Sequence, residues 1–352
     1  MQEVDYIIVG QGLCGSFLSW NLLRAGKKVL VIDQSFTNTA TKIASGVINP
    51  VTGRRIVRTW EIETFMPFAV SAYTQLGNEL GIDLIKQCNI LDFHATPQMK
   101  LAFEERLPLE TTYLRIPNNT SELEQYFNPM FGVGEINPCW LIDLHAMLIG
   151  WRKKLTAQNA LLAENFNLTN CTITENHVTY QSFVAKKIIF CDGTAGFNNP
   201  YFSLLPYSRN KGEVIFAEIK DLPPTHIYKQ GINLVPWKDN LYWIGSTYDW
   251  NFTNLDPTPA FLEKVTNQLN HWLKLPYKII DHLAGERPTN LERRPFVGLH
   301  PIHHSIGIIN GMGTKGCSLA PYFSNQLTQF LVNGTPIHPL ADTERFRKIL
   351  SR

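Results

Sequence analysis

The chain has 352 residues, room for two domains of ordinary size. Its 44% hydrophobic and 18% charged residues, with no low-complexity tract, exclude a disordered chain. Lys plus Arg number 32 against 30 Asp plus Glu, a net charge of +2, so no global field draws the protein to nucleic acid or to an anionic membrane. No apolar run approaches the ~18 to 20 residues of a membrane span, and the opening Met1-Gln-Glu-Val-Asp5 carries acids where a secretory leader carries bases. The reading is a cytoplasmic protein. Six scattered cysteines (Cys14, Cys88, Cys139, Cys171, Cys191, Cys317), with no CxxC pair, read as free thiols in a reducing compartment.

The first forty residues are the most informative. Tyr6 to Val9 is a short apolar run of strand formers, as in a central parallel strand covered on both faces. It runs into Gly10-Gln-Gly12-Leu-Cys-Gly15, and an apolar helical stretch follows until Ala25-Gly26 stops it. A second strand, Lys28 to Ile32, ends at Asp33, 21 residues beyond Gly12. Gly10 permits a tight turn, Gly12 lets the backbone approach a pyrophosphate, and Gly15 allows close packing of helix on strand. The helix N-terminus then binds phosphate, and Asp33 accepts hydrogen bonds from a ribose hydroxyl. An acid here argues against a 2′-phosphate, so the site is a dinucleotide site other than one for NADP.

Further on, Phe65 to Leu80 reads as helix and Cys88 to His94 as a strand, in a stretch punctuated by prolines. Residues 141–157 form an amphipathic helix, and Asn159 to Ile173 and His177 to Tyr180 read as strands. Lys186 to Cys191 is a buried strand ending in Asp192-Gly193, a return to the nucleotide domain. Residues 211–250 alternate as an antiparallel sheet, and Phe261, Val265, Leu269 and Trp272 mark one face of a helix. The strand Ile306 to Ile309 leads into Gly311-Met-Gly313-Thr-Lys-Gly316 and a helix from about Ser318 to Val332, repeating the logic of the N-terminus.

Assembled in order, these residues make the chain resemble the glycine oxidase and D-amino-acid oxidase family of FAD-dependent oxidoreductases over nearly its whole length. The N-terminal fingerprint carries the resemblance, with Ala44-Ser45-Gly46-Val47-Ile48, Leu168, Cys191-Asp192-Gly193, Lys211-Gly212-Glu213, Leu234-Val-Pro236, Gly245-Ser-Thr247, Gly285-Glu-Arg287-Pro288 and Gly311 to Pro321. It implies an α/β fold: a Rossmann-like FAD-binding domain with a parallel sheet, and an α+β substrate domain with a mixed or antiparallel sheet. The FAD-binding domain is expected from residues 1–80, 141–205 and 281–352, and the substrate domain from 81–140 and 206–280.

The resemblance also implies contacts to FAD from Gly10, Gly12, Leu13, Cys14, Gly15, Asp33 and Gln34. To these it adds Ala44 to Ile48, Leu168, Cys191 to Gly193, Gly311 and Gly313 to Gly316. Arg287 is expected to clamp a substrate carboxylate, a task suited to a planar guanidinium. Two positions depart from the family: a substrate-binding Tyr of some members falls at Asn233, and a second Arg falls at Thr314. No Cys lies near Arg287, where some relatives attach flavin, so FAD is expected to be non-covalent. Lys315 is a candidate cation for the reduced flavin and for O₂ activation. Arg54, with Arg55 and Arg58, is a candidate recruiter of an acidic substrate. His300, His303 and His304 lack acids or thiols at ligand spacing and read as surface histidines. Trp237, Trp243 and Trp250 divide evenly between pocket wall and core.

The expected function is oxidation of the C–N bond of an amine or amino acid by hydride transfer to FAD, with O₂ or another acceptor. The alternatives are an FAD-dependent hydroxy-acid dehydrogenase feeding a quinone, and a flavin-binding module without activity.

Overall fold

The computed structural model describes residues 1–53, 55–128 and 131–352. Two eight-stranded sheets organise it. In the first, the strand Gln2–Val9 lies between Val29–Ile32 and Phe183–Phe190, parallel to both. Beyond them, Leu161–Leu162 extends one edge and Ile306–Asn310 the other, also in parallel. The interior strands read as unbroken apolar runs because both faces are covered: Ile7 and Ile8 are each fully buried, on opposite sides. Helices Leu13–Arg24 and Gly316–Asn333 pack together on one face, where Phe17, Ala320, Phe323 and Leu327 are fully buried.

The second sheet runs in the order 278–290, 207–218, 241–245, 232–236, 227–230, 90–93, 133–136 and 114–115. It is antiparallel except where Ile227–Gln230 lies parallel to Ile90–Phe93. Alternation divides its two faces. Leu91, Ile215, Tyr228, Leu234 and Ile244 pack under helix Pro259–Trp272, while Ile90, Val214, Ile227, Val235 and Trp243 face the first sheet's side of the molecule. The helix is capped by Thr258, whose Oγ1 accepts from the Phe261 N–H.

One expectation is corrected. The strand expected over 159–173 is only Leu161–Leu162. The chain then leaves the sheet, Asn167 caps a short 3-10 turn at Leu168–Asn170, and Cys171–Ile173 pairs antiparallel with Val178–Tyr180. The boundary expected at 281 falls inside the continuous strand Lys278–Asn290, which pairs along its whole length with Tyr207–Glu218. Arg287 therefore belongs to the edge strand of the second sheet. Among the described residues no helix is long and apolar enough to cross a membrane.

Candidate functional site

Between the two sheets lies an elongated cavity of about 810 Å³. One end is the N-terminal glycine turn. Gly10 adopts φ +97°, and a Cβ there would lie 2.5 Å from the Cys191 carbonyl oxygen. A Cβ on Gly15 would lie 1.9 Å from the Gly10 carbonyl oxygen. Both glycines therefore serve the close approach of turn, helix and neighbouring strand. The N-cap of the helix that begins at Leu13 is Gly12, which has no side chain to cap it. Thr41 Oγ1 takes the Leu13 N–H at 3.2 Å, while the N–H groups of Gly12 and Cys14 have no acceptor among the described residues. Open N–H groups at the positive end of a helix, facing a cavity, suit a pyrophosphate.

Asp33 sits at the end of the second strand and lines the cavity. Its carboxylate accepts from the Gln11 N–H at 2.9 Å, the Ser35 N–H at 2.6 Å and Arg152 Nη1 at 2.8 Å. Arg152 also donates to the Asp33 carbonyl. Sequence reading missed Arg152, because nothing local links residues 119 positions apart. Asp192 is half-buried on the far wall, where Asn199 and Asn310 each donate an amide N–H to it at 3.0 Å. Burial pushes its carboxyl up to about 6, against the lowering effect of those two bonds.

Most of the expected cofactor residues line this cavity: Gly10, Gly12, Leu13, Cys14, Asp33 and Gln34, then Ala44 to Val47, Cys191 to Gly193, and Gly313 to Gly316. Gly15 and Gly311 lie just behind the wall, and Ile48 is buried in the core. Near the short edge strand the cavity wall is Glu164, Asn165 and Phe166, and Leu168, which does not line the cavity, opens the 3-10 turn that follows. Of the three tryptophans, Trp243 lines the cavity and donates to the Ile43 carbonyl at 2.8 Å; Trp237 and Trp250 do not line it. His300 is buried, its Nδ1 accepting from the N–H groups of Ile302 and His303. Arg58 is committed to Glu63 and Glu110, and Arg54 lies outside the described residues.

The other end of the cavity rests on the second sheet. Arg287 enters it from the edge strand, and Gly212 on the adjacent strand makes the room: a Cβ there would lie 2.0 Å from Arg287 Nη2. Nη1 donates to Asn210 Oδ1 at 2.5 Å and to the Thr247 carbonyl at 3.1 Å, and Nη2 donates to Ser246 Oγ at 2.8 Å. The Tyr248 ring lies over the guanidinium, 4.8 Å away. Among the described residues no carboxylate pairs with Arg287. Its neighbours in sequence are taken, Glu286 by Arg209 and Glu292 by Arg345. Burial pulls the guanidinium down from its ordinary value without a compensating acid. An unpaired cation facing a cavity is an anion site in chemical terms.

The loop 246–258 that carries Tyr248 is anchored by a buried cluster. Glu213 accepts from the Thr258 N–H at 2.6 Å and from His282 at 3.0 Å, and Lys211 Nζ donates to the Asp256 carbonyl at 2.5 Å. Asn233 lines the cavity, its Nδ2 weakly donating to the Gly245 carbonyl at 3.4 Å. Thr314 lines it as an exposed side chain. Lys315 stands at the start of helix Gly316–Asn333, with no acid partner among the described residues, and burial pulls its amine down to about 8.

A cavity with an open helix N-terminus at one end and an unpaired arginine at the other has the chemistry to hold a dinucleotide and an anion. Comparison with known proteins gives the class. The family described as FAD dependent oxidoreductase (DAO) matches residues 5–329, and the chain belongs to that family. It is an FAD-dependent oxidoreductase. The chain is 24% identical to a glycine oxidase of Bacillus subtilis, covering 94% of each, and 23% identical to a glycine oxidase of Pseudomonas putida, covering 94% of this chain and 95% of that one. The fold is similar to that of a glycine oxidase from Bacillus cereus, with a TM-score of 0.81 at 16% identity over 99% of both chains.

Proposed function

We propose that this protein oxidises the C–N bond of a carboxylate-bearing amine or amino acid, with Arg287 as the carboxylate clamp. The observation that carries the reading is the lone guanidinium of Arg287, facing the same cavity as the N-terminal glycine turn. Bound FAD would supply the hydride-accepting chemistry. The chain's own residues orient and desolvate. Ser246, Asn210 and the Thr247 carbonyl fix the plane of the guanidinium, so the carboxylate meets a preset fork. Ile90, Val214, Ile227, Val235 and Trp243 make an apolar wall that excludes water and favours the neutral amine.

Gly12, Cys14, Asp33 and Arg152 are the groups proposed to hold the nucleotide half of non-covalent FAD. Burial pushes the cavity thiols of Cys14 and Cys317 up to about 12, which suppresses the thiolate that a covalent link requires. Lys315 is proposed to meet negative charge on the reduced ring and to assist O₂ or another acceptor. Its amine near 8 makes this testable: reoxidation by O₂ should slow as pH rises through that value, and the step should vanish in Lys315→Met.

The primary test is anaerobic mixing of the yellow holoenzyme with amines, amino acids and 2-hydroxy acids, followed by flavin absorbance. Bleaching by a carboxylate-bearing amine is expected. Bleaching only by 2-hydroxy acids would transfer the reading to a hydroxy-acid dehydrogenase, and bleaching by none would leave a flavin-binding module.

A further inference from the structure

One row of residues crosses the cavity face of the second sheet at a single level. Strand register sets Val214 opposite Gly245, Gly245 opposite Asn233, Asn233 opposite Lys229, and Lys229 opposite Asp92. Alternation turns Lys229 to the cavity with Ile227, while Tyr228 between them packs in the opposite core. Register continues the row from Val214 to Leu283; Arg287 lies four residues further along that strand, opposite Asn210, and its side chain reaches Ser246, the residue after Gly245. Lys229 faces the same cavity from the other side of the row, next to Asp92.

Lys229 Nζ donates to Asp92 Oδ2 at 2.7 Å. An ammonium carries three N–H groups, and the other two have no protein acceptor among the described residues. Asp92 is buried and does not line the cavity, so the ammonium stands between that carboxylate and the cavity space. The pair holds Nζ at the wall with donors to spare. Arg287 and Lys229 thus bring two cations to one cavity from separate strands of the second sheet, each with donors directed at the same space.

We infer that Lys229, positioned by Asp92, reads a second carboxylate, and that the substrate class is amino or imino acids bearing two acidic groups. The inference rests on the reading of Arg287 as the first carboxylate site. Asp92 offsets part of the ammonium charge, so recognition works through the free N–H donors as well as through charge, and an amide in place of the second carboxylate should be accepted less well.

The test titrates glutarate, glutaramate and butyrate, as unreactive probes, into oxidised holoenzyme and follows the flavin spectrum. Glutarate should bind at least tenfold more tightly than butyrate, with glutaramate between them. That preference should disappear in Lys229→Met and persist in Lys229→Arg. Should Lys229→Met fail to retain FAD, Lys229→Gln, which keeps a donor to Asp92 but loses the charge, takes its place and should narrow the preference. Equal binding of glutarate and butyrate, or a preference indifferent to residue 229, overturns the inference. Butyrate binding that is indifferent to Arg287→Lys overturns the underlying carboxylate-clamp reading instead.

Discussion

The ring of Tyr248 covers the guanidinium of Arg287 from the solvent side, 4.8 Å from ring centroid to Cζ, while the ring's own residue is 61% exposed. The cover over this guanidinium is thus one aromatic side chain on a loop that Glu213 and Lys211 anchor. The two residues have separable effects. Arg287→Lys replaces a planar fork by a point charge, and should cost ~2 to 5 kcal/mol in reduction by a carboxylate-bearing substrate, with FAD content unchanged. Tyr248→Ala should cost only ~0.5 to 1 kcal/mol, the size of an exposed cation–π contact. Rapid-mixing reduction rates check both; equal losses for a substrate lacking a carboxylate would make Arg287 structural.

Gly212→Ala provides a test that leaves the arginine in place. The new methyl would sit 2.0 Å from Nη2 of Arg287, so the guanidinium must leave Ser246. The variant should bind FAD normally and resemble Arg287→Lys in its loss of reduction by the carboxylate-bearing substrate. Wild-type rates would mean that the arginine acts equally well from another rotamer.

The nucleotide end predicts a coupled pair. Asp33→Ala should weaken FAD by ~1.5 to 3 kcal/mol, roughly tenfold to a hundredfold, because a charge-assisted acceptor is lost. Arg152→Met should weaken it less, since Arg152 acts through the carboxylate it holds at 2.8 Å. The double variant should lose less than the sum of the two. FAD titration by fluorescence quenching measures all three, and simple additivity would separate the two residues.

Asp192 predicts a pH dependence with a definite sign. Its carboxyl titrates near 6 in the folded chain because burial penalises the charge, against an ordinary value of 3.8. The native state therefore holds this proton more tightly than the unfolded state. The group's contribution should make the protein less stable as pH rises from about 4 to 6, by up to about 3 kcal/mol, and be constant above that window. Urea unfolding across pH 4 to 7 should show this slope, and Asp192→Asn should remove it. An unaltered slope in the variant would assign it to other groups.

The sequence by itself determined the nucleotide end of the protein. The strand, the turn Gly10 to Gly15, the helix from Leu13 and the acid Asp33 are consecutive, and their geometry follows from local backbone rules and apolar periodicity. Arg287 was a candidate through the run Gly285-Glu-Arg287-Pro288, which carries the family resemblance. The strand expected over 159–173 was overextended: it stops at Leu162, and Asn167 caps a 3-10 turn that takes the chain out of that pairing. Only the tertiary structure decided what surrounds Arg287. Asn210, Gly212, Ser246 and Tyr248 lie about forty to eighty positions away and converge through the pairing of strand 278–290 with 207–218 and the neighbouring strand 241–245. The Lys229–Asp92 pair, 137 positions apart, depends on a parallel pairing between strands from separate stretches of chain. Side-chain convergence of this kind is set by strand order and register, where a one-residue slip turns every side chain to the other face. Local propensity carries no record of that choice.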